Sequence, residues 1–234
     1  MKCFTLAVLF GISLSSFGQT AQDYFKRGLT KYSSGDYQEA IADLTRAIEL
    51  DLKFAKAYYN RGNTKYYLED YQGALSDYNK AIELDPKYAN AYNNRGKAKF
   101  YSEDFQGAIA DYNKAIELDP KYANAYFWRG KVKYFLENYQ GAIADYNKAI
   151  ELDPKFATTY NNRGSVKNNL EDYQGAIVDF TKAIELDPKK ANPYFWRGEA
   201  KFILKDKNGA CLDWSKAGEL GFSNAYEMIQ KYCQ

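Results

Sequence analysis

The stretch Tyr71–Pro86 reads YQGALSDYNKAIELDP. Its apolar letters fall at Tyr71, Ala74, Leu75, Tyr78, Ala81 and Ile82, the three-and-four spacing of a helix with one buried face. Asp70 stands just before it, where a side-chain oxygen can accept hydrogen bonds from the first free amides of a helix. Pro86 ends it, because proline has no N–H to donate and clashes with the preceding turn. KAIELDP returns at Lys80, Lys114, Lys148 and Lys182, and YQGA at Tyr71, Tyr139 and Tyr173.

Working outward, an Arg-Gly pair precedes each such stretch, at Arg27, Arg61, Arg95, Arg129, Arg163 and Arg197, always 34 residues apart. Six copies therefore align without a gap, at 21–54, 55–88, 89–122, 123–156, 157–190 and 191–224. Each copy reads as two helices joined by a short turn. Asp36, Asp70, Asp104, Asn138 and Asp172 are placed as N-caps of the second helix. In the first copy Glu39, three residues after Asp36, is expected to complete a capping box. One helix pair cannot bury its own apolar face, so neighbouring pairs must stack.

The chain resembles the tetratricopeptide repeat family over residues 21–224. The residues that carry the resemblance are Gly at the eighth position, Ala at the twentieth and twenty-seventh, and a large residue at the twenty-fourth (Leu44, Tyr78, Tyr112, Tyr146, Phe180, Trp214). The resemblance implies an all-α fold: a right-handed superhelical solenoid of six antiparallel helix pairs, its first helices lining a concave groove. Residues 225–234 read as a further helix that caps the last open face. Cys211 and Cys233 are placed so that a disulfide could staple this cap to the sixth copy; two separate buried thiols are the alternative.

Within the first helix four letters never change: Tyr126, Arg129, Gly130 and Lys133 in copy four. At about 100° per residue they form one face roughly 100° wide, expected to turn toward the stack. Arg and Lys depart here from the family's preference for large apolar residues. An Asp recurs sixteen residues after each Arg, which predicts the ion pairs Arg27–Asp43, Arg61–Asp77, Arg95–Asp111, Arg129–Asp145, Arg163–Asp179 and Arg197–Asp213, with the Lys nearby.

The variable letters fall on the opposite side of the helix, which the resemblance turns toward the groove. Expected groove residues are Tyr59, Asn60, Asn63, Asn93, Asn94, Lys97, Phe127, Trp128, Lys131, Asn161, Asn162, Phe195 and Trp196. Asn124, Tyr134 and Phe135 share that side. Asn amides donate and accept hydrogen bonds, which suits an extended peptide backbone, and Trp and Phe supply contact area with little entropy to lose. A protein or peptide ligand is the expected partner. A carbohydrate stacked on Trp128, Trp196 and the flanking Phe residues is the alternative. The Lys and Asn clamp by which some family members hold a C-terminal carboxylate begins with Lys at the fifth position. Here that position reads Phe25, Tyr59, Asn93, Phe127, Asn161 and Phe195, so this clamp is absent.

Composition narrows the function classes. The 234 residues contain 32 Lys and Arg against 30 Asp and Glu, a net charge of +2, unlike the basic footprint of a nucleic-acid binder. The sequence has no His, and therefore no His-based general base or zinc ligand. It has no phosphate-binding glycine loop and no C-x-x-C. These features point to a non-catalytic scaffold without a cofactor. Residues 1–18 carry one Lys, an apolar run from Cys3 to Phe17, and Ser16 and Gly18 before Gln19. They read as a cleaved signal peptide, the run being shorter than the ~20 residues a bilayer needs, with an uncleaved membrane anchor as the alternative. The expected destination is the periplasm or the medium, with no stable membrane span once the signal is removed.

Overall fold

The structure, a computed structural model, describes residues 19–233. The expected signal peptide lies outside the described residues. Among these are thirteen helices and no strand. The first helices of the six copies are α1 (Ala21–Ser34), α3 (Ala55–Tyr67), α5 (Ala89–Tyr101), α7 (Ala123–Phe135), α9 (Ala157–Asn169) and α11 (Ala191–Ile203). Their partners are α2 (Tyr37–Leu50), α4 (Tyr71–Leu84), α6 (Phe105–Leu118), α8 (Tyr139–Leu152), α10 (Tyr173–Leu186) and α12 (Lys207–Glu219), and α13 (Asn224–Tyr232) follows. Each helix packs on the next in sequence, and each first helix also touches the first helix of the following copy. The result is an all-α solenoid.

Caps and turns set the helix boundaries. Asp70, Asp104, Asn138, Asp172 and Asp206 each accept a hydrogen bond from the backbone N–H three residues on, at 2.9–3.0 Å. That residue is Gly in all five copies, and a Cβ on Gly73 would lie 2.1 Å from an Asp70 carboxylate oxygen. Copy one supplies such a Cβ with Glu39, and the capping box expected at Asp36 and Glu39 does not form. Asp36 accepts from Ser34 Oγ at 2.7 Å, and Glu39 pairs with Lys31. The capping box in this copy lies at the start of α1, between Thr20 and Asp23. The turn between the two helices needs a left-handed residue, supplied by Gly35 in copy one and by Glu69, Glu103, Glu137, Glu171 and Lys205 thereafter.

The core runs through the stack as a row of small-on-large contacts. Ala40, Ala74, Ala108, Ala142, Ala176 and Ala210 are fully buried, as are the large residues at the twenty-fourth position or nearly so. Gly130 lies so close to Tyr146 that a Cβ would stand 2.9 Å from the ring, which shows why the eighth position is Gly. At the C-terminal end α13 buries Ala225 and lays Tyr232 against Phe202, ring centroids 4.5 Å apart. Cys211 on α12 and Cys233 after α13 are joined by a disulfide, with Cα atoms 5.7 Å apart.

Candidate functional site

The frame of the site is a chain of buried ion pairs. All six Arg side chains fork onto the Asp sixteen residues ahead. In copy four Arg129 Nε donates to Asp145 Oδ2 at 2.9 Å and Nη2 to Oδ1 at 2.6 Å. Its remaining Nη1 donates to Asn113 Oδ1 of the preceding copy at 2.6 Å. Thr45, Asn79, Asn147 and Thr181 serve the other copies in the same way. From Arg61 onward each guanidinium thus joins a helix pair internally and to the preceding copy, and all six lie over the invariant Tyr three residues before them. Lys65, Lys99, Lys133, Lys167 and Lys201 add a second cation to the same Asp at 2.7–2.9 Å. Lys31 instead goes to Glu39 and Asp36. In copy one Arg27 Nη1 donates instead to Gln19, and the side chain is 46% exposed.

The face made by the first helices is more divided than a single-helix projection predicts. Asn93, Phe127 and Phe195, expected in the groove, are buried. The fifth position points into the joint with the next copy: Phe127 meets Phe156 at 4.8 Å and Tyr146 at 6.0 Å. Phe25 with Phe54, Tyr59 with Tyr88, and Phe195 with Phe222 repeat this contact. A loop aromatic near the end of the copy covers the fifth position, so Phe25, Phe127 and Phe195 are core, while Tyr59 stays half-buried. Asn161 is half-buried at the corresponding place.

The remaining expected residues, Asn60, Asn63, Asn94, Lys97, Trp128, Lys131, Asn162 and Trp196, are half-buried or exposed. Several asparagines spend their hydrogen bonds within the protein. Asn94 Nδ2 donates to Tyr59 Oη at 3.0 Å and to Asn63 Oδ1 at 2.9 Å, across two copies. Asn63 Oδ1 also accepts from Tyr78 Oη at 2.8 Å, and Asn60 Nδ2 donates to Lys56 O. Trp128 is wedged between copies three and four against Phe100 and Tyr101. Trp196 is 40% exposed.

Two hollows open on this face. One, of about 270 Å³, lies across copies four to six and is lined by Lys131, Tyr134, Phe135, Tyr146, Asn162, Ser165, Asn168, Asn169 and Trp196. The other, of about 110 Å³, lies in the first three copies between Tyr32, Asn63, Tyr66, Tyr67, Tyr78, Asn94 and Lys97. At the twelfth and thirteenth positions the sequence reading places only Tyr134 and Phe135 of copy four on this side, and the equivalents in the other copies are missed. Tyr67, Tyr101 and Phe135 at the thirteenth are exposed and stack on Tyr37, Tyr71 and Phe105 of the preceding copy. Their signal was available, since they lie one helical turn beyond the ninth position on the same face.

Electrostatics differ along the face. Loss of hydration pushes Lys97 down to about 8 and lowers Lys131, neither of which has an ion pair among the described residues. Burial raises Glu199, at the same position of copy six, whose Oε1 is buried without a partner. The middle of the face is cationic and its C-terminal end anionic. No group of three or more His, Cys, Asp and Glu able to hold a metal occurs among the described residues. None of the helices among them is long and apolar enough to cross a membrane.

Known proteins place this architecture. A family profile described as TPR repeat matches residues 28–69, 98–136 and 134–170, and one described as tetratricopeptide repeat matches 55–88 and 157–190. No curated protein matches the sequence. Among solved structures, MamA is similar at 28% identity and TM-score 0.63, over 69% of this chain and 95% of that one. YrrB, described as a TPR protein with an unusual peptide-binding site, shares the fold at 24% identity and TM-score 0.64, over 80% and 97%. PilF of Pseudomonas aeruginosa shares it at 18% identity and TM-score 0.80, over 90% and 96%. Together the profiles cover well over half of the sequence, and the chain belongs to the tetratricopeptide repeat family.

Proposed function

We propose that this chain is a non-catalytic interaction scaffold that holds an extended segment of a partner protein against the first-helix face. The observation that carries the reading is the hollow across copies four to six. It presents exposed Phe135 and Trp196 beside the amides of Asn162, Asn168 and Asn169. Apolar anchors among polar groups are what a peptide-binding surface requires. Asn168 Oδ1 is buried without a partner and can accept from a ligand N–H. A carbohydrate reading has less to stand on, because Phe127 and Phe195, two of its stacking platforms, are in the core.

A peptide array probed with the full chain and with Trp196→Ala tests the reading. Peptide binding should weaken at least tenfold in the variant, as loss of a central aromatic anchor does. Binding to glycans but to no peptide would replace it with the carbohydrate reading. We further propose that the chain is exported. The apolar run of residues 3–17 and the Cys211–Cys233 bridge support this, since disulfides persist in oxidising compartments. Intact mass of the protein from fractionated cells should place the mature N-terminus at Gln19.

A further inference from the structure

The ninth position of the first helix faces the buried large residue of its own copy. In copy two this contact is satisfied, with Tyr78 Oη donating to Asn63 Oδ1 at 2.8 Å. In copy three Lys97 replaces the Asn, and an ammonium cannot accept a hydrogen bond. Tyr112 is fully buried there, and its hydroxyl has no partner. Copy four also carries Lys at this position, Lys131. Nothing in the repeat frame asks for these lysines, because the other copies hold Leu29, Asn63, Ser165 and Glu199 at the same place.

Both ammonium groups collect around one side chain. Lys97 Nζ lies 5.4 Å and Lys131 Nζ 4.6 Å from the centre of the Trp128 ring, so the two amines are within about 10 Å of each other. Each lines a different hollow. Aromatic faces offset part of the dehydration of a cation, but no carboxylate among the described residues pairs with either lysine. Two donors that water no longer fully solvates thus gather at one ring and open onto hollows where a ligand would lie, while the orphaned Tyr112 hydroxyl stays buried behind them. Such an arrangement lowers stability unless something accepts from it.

We propose that Lys97 and Lys131 form a seat for an acidic peptide segment, whose carboxylates dock beside Trp128. One carboxylate accepts from Lys97 Nζ and a second from Lys131 Nζ. An extended chain advances about 3.3 Å per residue, so the spacing of the amines suits acidic residues two or three positions apart. Glu199, two copies further on, repels a longer acidic run and keeps the acidic part short. The proposal rests on the peptide-binding reading above and specifies its ligand. It differs from the terminal-carboxylate clamp of the family, which starts with Lys at the fifth position, where this chain has none.

Selection of a random dodecapeptide display library on the full chain tests it, followed by affinity measurement on Lys97→Asn and Lys131→Gln. Selected peptides should carry two Asp or Glu separated by one or two residues, and each variant should weaken them at least tenfold. Lys97→Asn should at the same time raise the Tm by about 2–4 °C, because it restores to Tyr112 the acceptor used in copy two. That pairing of higher stability with weaker binding is not expected of a lysine that only packs. Neutral or basic peptides that bind both variants as well as wild type would overturn the acidic seat and leave the peptide scaffold standing. Phosphoserine versions binding tenfold tighter than Glu versions would overturn the carboxylate assignment. Failure to select any peptide would overturn both readings.

Discussion

Arg129 and Asp145, sixteen residues apart, meet in a two-pronged ion pair whose carboxylate is only 5% exposed. The same carboxylate takes Lys133 at 2.7 Å, and the same guanidinium reaches back to Asn113. One Asp therefore holds two cations on the first helix and, through Arg129, the neighbouring copy. Removing it strands both cations, whose side chains are about one-fifth exposed. Asp145→Ala should lower stability by about 3–5 kcal/mol. At about 2–4 °C per kcal/mol for a chain of this size, a Tm drop near 10 °C is expected by calorimetry. Asp43→Ala is the internal control: Arg27 is 46% exposed and Lys31 bonds elsewhere, so its loss should be at most about 1 kcal/mol. Equal drops for the two variants would show that burial does not set the strength of these pairs.

The C-terminal helix α13 is held by Ala225, by Tyr232 against Phe202, and by the Cys211–Cys233 bridge. The bridge closes a loop of 22 residues, for which restriction of the unfolded chain contributes about 3 kcal/mol. Cys211→Ser with Cys233→Ser should increase amide exchange throughout α13 and α12 and leave α1 to α6 unchanged. Stability in a repeat array is local, passed only between neighbours. Uniform loss of protection across the chain would contradict that locality.

The frame of this fold was readable in the sequence because a 34-residue period multiplies each weak signal by six. The invariance of Arg129 and Asp145 in every copy is enough to pair them from the sequence. The groove was readable only in part. A helical projection of one helix puts Phe127 at the edge of the variable arc, about 100° from Tyr126. Only the next copy shows that Phe156 closes over it. The capping box at Glu39 failed for a similar reason, since Lys31 on the preceding helix competes for its carboxylate. The orphaned Tyr112 hydroxyl follows from a comparison between copies, Asn63 against Lys97, that has meaning only once the facing residue is known.

Stability should depend on pH in two opposing ways. Lys97 titrates at about 8 in the folded chain against 10.5 for a free lysine. Between those values the unfolded chain holds a proton that the folded chain has released, so stability rises with pH. The shift corresponds to an order of 3 kcal/mol. Burial raises Tyr66, Tyr78, Tyr88 and Tyr146, and pushes Tyr122 up to about 12. Above pH 10 the folded chain keeps protons that unfolded tyrosines lose, and stability falls. Urea midpoints should therefore climb from pH 8 to a maximum near 10 and then drop. In Lys97→Asn the climb should shrink while the drop remains. A wild-type midpoint flat from pH 8 to 10 would mean that Lys97 stays hydrated.

Glu137 stands at φ 57°, in the left-handed region where Gly35 serves copy one at φ 86°. A non-glycine residue there loses about 1–2 kcal/mol to crowding of its Cβ. Glycine removes that crowding but adds freedom to the unfolded chain, worth roughly 0.5–1 kcal/mol in the other direction. Glu137→Gly should therefore stabilise by about 0.5 kcal/mol. The fourfold variant at Glu69, Glu103, Glu137 and Glu171 should gain about 2 kcal/mol, since these turns are separate and share no partner. Gly35→Ala is the reciprocal change: no atom lies within 4 Å of the added Cβ, so only backbone strain opposes it. A loss near 1 kcal/mol is expected there. Chemical denaturation of the three variants separates this from a packing effect, because a gain in the fourfold variant without a loss in Gly35→Ala would not fit backbone strain.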